Sequence, residues 1–329
     1  MTLSKPKIIL DTDPGGDDSF AFLWLISLVQ QGKADLVAVT SVDGNVSARL
    51  TFAGSCKLLQ LCGCEAIEVG RGVIGGSASD QVEDAGEIHG TDGMGNLSHT
   101  LPDGVQEYES ARSSDDLLIE KLKQFPEEIT IVAIAPLTNL AAAEQKSPGI
   151  LGLAKEIVIM GGAFQVPGNI TSEAEFNIAY DPESAKLIFD RYTHLVVLPL
   201  DITRNLIFTD EMAQRVADTQ AENAIAQFIV SLCKFMIGTA MAFRETAGIS
   251  GFLVHDAATL AYLFYPETLM FRRAQVQIET QGEWTRGKTL FDDRHKTKGG
   301  ANAWVAMQVD SINLLAVMVE DLKLLLAKS

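Results

Sequence analysis

A chain of 329 residues, 47% of them hydrophobic, can bury the core of one large α/β domain or two smaller ones, and no Pro/Ser-rich tract, charge block or repeat divides it. Its formal charge of −17 argues against nucleic acid or an anionic membrane as partner, because binders of polyanions present a basic face. The apolar stretches Phe20 to Val29 and Ile225 to Phe243 do not read as membrane spans, one being too short and the other carrying Lys234. The opening Met1-Thr2-Leu3-Ser4-Lys5 lacks the apolar centre of a signal peptide, so a cytoplasmic protein is expected. Cys56, Cys62, Cys64 and Cys233 are few for a disulfide framework, and Cys62-Gly63-Cys64 lacks Cys-x-x-Cys spacing, so they read as reduced core thiols.

Lys7 to Thr12 reads as a buried strand, and alternation along it puts Asp11 and Asp13 on one side. The pair Gly15-Gly16 allows a tight turn into a helix that runs from about Asp17 to Gln31. Asp11, Asp13, Asp17 and Asp18 therefore crowd into eight residues. Helix capping explains one such carboxylate but not four, and four so close either keep protons or bind a cation. Hard oxygens in an irregular array suit Ca²⁺ or Mg²⁺ rather than Zn²⁺. An EF-hand is excluded, because counting from Asp11 puts Gly15 at the fifth position and Phe22 at the twelfth.

Further along, Leu36 to Thr40 predicts a strand, and Asn45 an N-cap for a helix from Val46 to Leu61. Glu68 to Thr100 is glycine-rich and aperiodic, which predicts a long loop over a site, with His89-Gly90-Thr91-Asp92-Gly93 inside it. A helix at Ser114 to Gln124, a strand at Ile129 to Ala133, a helix at Leu137 to Glu144 and a strand at Ile157 to Met160 follow. The polar run Asn169 to Asn177 suits hydroxyl recognition, although by itself it reads more readily as an ordinary polar loop capping the helix Pro182 to Asp190. Leu195 to Leu198 predicts a strand; Asp210 to Ala217 and Ala221 to Phe243 predict helices. His255-Asp256 opens a helix from Ala257 to Tyr262, where capping is the ordinary reading of Asp256. Strands near Arg273 to Glu279 and Ala303 to Gln308 precede a helix from Asp310 to Leu326, capped by Asp310, with Ile312, Leu315, Val319 and Leu322 as its apolar stripe.

Strand and helix alternate, which predicts an α/β fold: a single domain over residues 1–329 with a mostly parallel, Rossmann-like central sheet flanked by helices. Ligands of such sheets bind beyond the carboxyl ends of the strands, where Asp13, Asp43 to Asn45, Ala135-Pro136 and Gly161-Gly162 fall.

Asp11 to Asp18, Asp43-Gly44-Asn45, His89 to Gly93, Pro136-Leu137-Thr138-Asn139, Met160-Gly161-Gly162, Asn169 to Asn177, His255-Asp256-Ala257 and Thr285-Arg286-Gly287 occur in an order that resembles the nucleoside hydrolase family, often called inosine-uridine preferring. The resemblance covers nearly the whole chain. It implies calcium-dependent hydrolysis of the N-glycosidic bond of ribonucleosides to free base and ribose. Asp13, Asp18, Asp256 and the backbone carbonyl of Ile134 would hold Ca²⁺, with water and the ribose 2′- and 3′-hydroxyls completing its shell. Asp13 would also be the general base for water attacking C1′. By the same resemblance Asp17 and Asn177 hold ribose hydroxyls, Asn169 and Glu175 the 5′-hydroxyl, Phe176 is a further substrate-binding residue, and Asn45 orients the water and the 2′ side of the sugar. Asp11 supports the loop from behind. His255 would protonate or stabilise the leaving base, with His89 lining the sugar or base side.

The segment Lys234 to Phe243 offers Phe and Met where tyrosines assist a histidine in some relatives. Homodimers or homotetramers are usual in the family. Two other classes compete: a haloacid-dehalogenase-like phosphatase, from Asp11-Thr12-Asp13 after a strand, and a catalytically silent nucleoside-binding protein on the same fold.

Overall fold

The computed structural model describes residues 5–73, 84–294 and 300–327. In chain order its strands are β1 (Lys7–Thr12), β2 (Asp35–Ser41), β3 (Val69–Gly70), β4 (Ile129–Ala133), β5 (Glu156–Met160), β6 (Leu195–Leu198), β7 (Ile207–Phe208), β8 (Phe252–Leu253), β9 (Leu269–Ile278), β10 (Thr289–Asp292) and β11 (Ala303–Val309). Nine of them form one sheet in the order β10-β9-β11-β6-β5-β4-β1-β2-β3. From β11 to β3 every pairing is parallel, and β9 and β10 add an antiparallel edge. The stretch β3-β2-β1-β4-β5-β6 is the doubly wound order, in which chain direction across the sheet reverses beside β1. A crevice opens there beyond the strand ends. The run Asp11 to Asp18 leaves β1 at this point.

Both sheet faces are covered, which explains why the central strands read as unbroken apolar runs. Alternate residues feed two cores: Ile8, Leu10, Val132, Ile134, Val158 and Val196 face one, and Ile9, Ile131, Ala133, Ile157, Ile159 and Val197 the other. The helix Gly16–Gln30 is buried on all sides, from Phe20 to Ile26 without interruption, so it lies inside the first core. The helix Ala224–Phe243 is long and apolar enough, by length and composition, to cross a bilayer. Here it packs on the helices Asp210–Ala217 and Gly16–Gln30, with Ile225, Phe228, Leu232 and Met236 buried.

Several expectations are corrected. Asn45 is not a helix cap: the helix spans Ala48–Leu61 after Ser47, and the Asn45 side chain turns to the acidic run. The Glu68 to Thr100 segment carries β3, a helical turn at Gly86–His89 and a 3₁₀ turn at Ser98–Thr100, while its residues 74–83 lie outside the described ones. Part of the polar run folds as the short helix Phe176–Tyr180. Gly251 to Val254 contains β8, which pairs with β7, and β10 was unexpected. Ile312 is 81% exposed, and the buried stripe of the helix Ser311–Leu326 is carried by Leu314, Leu315, Met318, Val319 and Leu322. The glycine pair supplies space rather than an unusual turn. Gly15 has φ −108°, but a Cβ there would lie 2.6 Å from Asn45 Nδ2, and one on Gly16 would lie 2.3 Å from Met236 Sδ.

The helix Ser311–Leu326 is joined to the Gly16–Gln30 helix by a buried carboxylate. Asp321 accepts hydrogen bonds from Trp24 Nε1 (2.8 Å), Tyr265 Oη (2.5 Å) and Gln31 Nε2 (2.9 Å). Asp321→Ala strands the indole N–H in the core, so we expect a loss of about 2–4 kcal/mol of stability in urea unfolding, with kcat unchanged.

Candidate active site

The carboxylates gather where β1 ends. Asp18, in the first turn of the helix Gly16–Gln30, accepts from Thr12 Oγ1 (2.7 Å), the backbone N–H of Gly15 (3.1 Å) and Asn45 Nδ2 (3.0 Å). Asp13 Oδ2 accepts from the backbone N–H of Asn45 (2.7 Å), while Asp13 Oδ1 is buried without a hydrogen-bond partner. Asp256 reaches the cluster from the start of the helix Ala257–Phe264, and its side chain caps nothing. One carboxylate oxygen from each of Asp17, Asp18 and Asp256 lies within 4.8 Å of the others. Four buried acids so close resist ionisation. Burial, then repulsion from Asp18, raises the Asp13 carboxyl well above its usual value, and burial with repulsion from Asp17 and Asp18 does the same to Asp256. Asp17 is pushed up to about 8 by burial and by Asp18.

Asp11 stands behind them, fully buried, with Oδ1 accepting from Thr40 Oγ1 (2.6 Å) and Asn139 Nδ2 (2.8 Å). Burial pushes its carboxyl up to about 7 against those bonds. The orphaned Asp13 oxygen and the all-oxygen donor set fit a hard divalent cation, which neutralises the cluster as protons would. The oxygens of Asp17, Asp18 and Asp256 lie close enough to share an ion, so Asp17 joins the expected Asp18 and Asp256 there, while the unpartnered Oδ1 leaves Asp13 free to serve beside them.

Every candidate residue except Asp13 lines one cavity of about 570 Å³. Asn177 donates through Nδ2 to the carbonyls of Ile134 and Met160 (both 3.2 Å), which leaves its Oδ1 to accept. Glu175 caps the helix Phe176–Tyr180: its oxygens accept from the backbone N–H groups of Gly162 (3.0 Å), Asn177 (2.9 Å) and Ile178 (3.2 Å). Asn169 Oδ1 accepts from the N–H of Phe176 (2.9 Å), so Asn169 closes the loop as well as lining the cavity. The ordinary capping reading of this run and its place in the site hold together.

The two histidines are half-buried and uncharged near neutrality. The Gly16 N–H donates to His89 Nδ1 (3.0 Å), which puts the ring proton on Nε2, and burial lowers the His89 pKa to about 4. Burial, then the charges of Arg204 and His89, lowers that of His255 to about 3. His255 Nδ1 lies 2.7 Å from Thr203 Oγ1.

Ile170, Met236, Phe243, Glu245, Phe252 and Leu253, to which sequence reasoning gave no individual role, also line the cavity. They are ordinary apolar residues or a lone acid, and only the packing of the Ala224–Phe243 helix and of β8 over the strand ends brings most of them there. Arg286, within one of the quoted motifs, bonds Glu183 Oε1 (2.5 Å) and Oε2 (2.7 Å) and serves the scaffold. Gly44 is forced by the site, since a Cβ there would lie 2.1 Å from Asp13 Oδ2. Gly44→Ala must displace that carboxylate from the Asn45 N–H, and we expect kcat to fall roughly tenfold in steady-state assays, with a lowered melting temperature.

The family model described as inosine-uridine preferring nucleoside hydrolase matches residues 8–316. A probable uridine nucleosidase 1 of Oryza sativa subsp. japonica is 32% identical over 325 residues, covering 97% of each chain. A pyrimidine-specific ribonucleoside hydrolase of Shewanella woodyi is 33% identical over 98% of this chain and 99% of its own. Among solved structures, a purine-preferring ribonucleoside hydrolase from Gardnerella vaginalis superposes with a TM-score of 0.87 at 25% identity, covering 98% of this chain and all of the other.

Proposed function

The chain belongs to the inosine-uridine preferring nucleoside hydrolase family and is a ribonucleoside N-glycosidase, and from that premise we propose that it cleaves uridine and inosine in a calcium-dependent reaction. The observation that carries the calcium assignment is the buried carboxylate cluster with its unpartnered Asp13 oxygen, at the strand ends where the sheet order reverses. Asp13, Asp18, Asp256 and the Ile134 carbonyl would hold the ion. A bound Ca²⁺ would neutralise the cluster, offer coordination to ribose and water oxygens, and make the water more acidic.

Asp13 takes the proton from the water that attacks C1′, a role that suits a carboxylate with one oxygen held by the Asn45 N–H and the other unpartnered. Asp17 and Asn177 Oδ1 accept from the ribose hydroxyls and fix the sugar beneath that water. Asn45, whose side-chain amide donates to Asp18 and whose backbone N–H donates to Asp13, holds both acids in place and orients the water and the 2′ side of the sugar. As the bond to the base weakens, positive charge develops on the ribose, and the surrounding carboxylates stabilise it. His255 and His89 remain neutral and act as N–H donors, His255 to the leaving base and His89 to the sugar. Glu175, anchored by three backbone N–H groups, receives the 5′-hydroxyl with Asn169 and repels a 5′-phosphate.

The test is free ribose, measured as reducing sugar, from uridine, inosine, adenosine, cytidine and uridine 5′-monophosphate with Ca²⁺ present. We expect ribose from uridine and inosine and at least about 10²-fold slower release from the monophosphate. Binding of all four nucleosides without any ribose would point instead to a silent binder.

A further inference from the structure

Thr203 ends the helical turn Leu200–Thr203 that follows β6, and its side chain is fully buried. Its hydroxyl lies 2.7 Å from His255 Nδ1, and among the described residues no other hydrogen bond to that hydroxyl is found. A buried hydroxyl carries one proton that must be donated, and His255 Nδ1 is the acceptor within reach. With Nδ1 accepting, the proton of the neutral ring sits on Nε2, the nitrogen away from Thr203, on a side chain that lines the cavity. The arrangement parallels His89, whose Nδ1 is occupied by the Gly16 N–H. The next residue, Arg204, fixes the same turn by donating to the carbonyls of Pro167 (2.7 Å) and Gly168 (3.0 Å).

We propose that Thr203 is a positioning residue, which holds the His255 ring in one orientation with its Nε2–H presented to the leaving base. This rests on the role assigned above to His255. A nucleobase leaves as a poor, strongly basic group that needs the hydrogen bond, whereas p-nitrophenolate leaves without one. Loss of Thr203 therefore matters in proportion to how much help the leaving group requires.

The test compares wild type, Thr203→Val, Thr203→Ser and His255→Ala on uridine, inosine and p-nitrophenyl β-D-ribofuranoside. Thr203→Val should lower kcat on the nucleosides by about tenfold with KM within about twofold, and its loss on the p-nitrophenyl riboside should be several-fold smaller. Thr203→Ser, which keeps the hydroxyl, should restore most of kcat. Equal losses on all three substrates, or nucleoside rates in Thr203→Val like those of wild type while His255→Ala is impaired, would overturn the inference and leave the His255 role standing. Wild-type nucleoside rates in His255→Ala would instead remove the role on which it rests.

Discussion

Asp13→Asn should reduce kcat on uridine by at least about 10²-fold, because the amide can neither take a proton from water nor bring charge to the cation. The substitution is nearly isosteric. The new amide oxygen could still accept from the Asn45 N–H that now bonds Asp13 Oδ2, so the fold and its melting temperature should be kept. Asp17→Asn separates the two possible acid sets: if Asp17 serves mainly to hold a ribose hydroxyl, KM should rise more than kcat falls. A near-normal turnover number in Asp13→Asn would refute the assignment of the base. A collapse of calcium affinity in Asp17→Asn but not in Asp13→Asn would transfer the third ligand to Asp17.

Removal of the metal should have an effect of similar size, and it carries a pH signature. Exhaustive chelation should abolish turnover and Ca²⁺ should restore it. In the metal-free protein Asp11 and Asp17 are raised to about 7 and about 8, above the ordinary 3.8 that they regain on unfolding. Such groups add stability while they hold their protons and lose it as pH rises through the folded-state values. The metal-free protein should therefore melt at a lower temperature at pH 8 than at pH 6. Calcium at a hundred times its Kd should return about 2.7 kcal/mol, and more effectively at the higher pH, where protons no longer compete. A metal-free protein equally stable at both values, or full activity after chelation with no metal found by elemental analysis, would contradict this.

Much of the scaffold was legible in the residues because it rests on local periodicity. Lys7–Thr12, Ser114–Gln124, Ile129–Ala133 and Asp210–Ala217 have the bounds that their patterns predict. Some short elements were not legible, since β7, β8 and the helix Phe176–Tyr180 are held by partners distant in sequence or by a single side-chain cap. Asn45 shows the limit of local rules, because a residue type that caps helices instead donates to the Asp18 carboxylate and the Asp13 carbonyl, 27 and 32 positions away. Ile312 fits a helical stripe on paper, yet the helix is rotated so that Leu314 and Met318 face the core. In the site, the acids announced themselves by crowding. Thr203 could not, because an isolated threonine carries no signal until the fold places it against His255.

The most direct measurement is the product balance with uridine in buffers with and without inorganic phosphate, in the presence of Ca²⁺. Hydrolysis at C1′ predicts uracil and free ribose in equal amounts at the same rate in both buffers. Uracil that appears only with phosphate, accompanied by ribose 1-phosphate in place of ribose, would contradict attack by water.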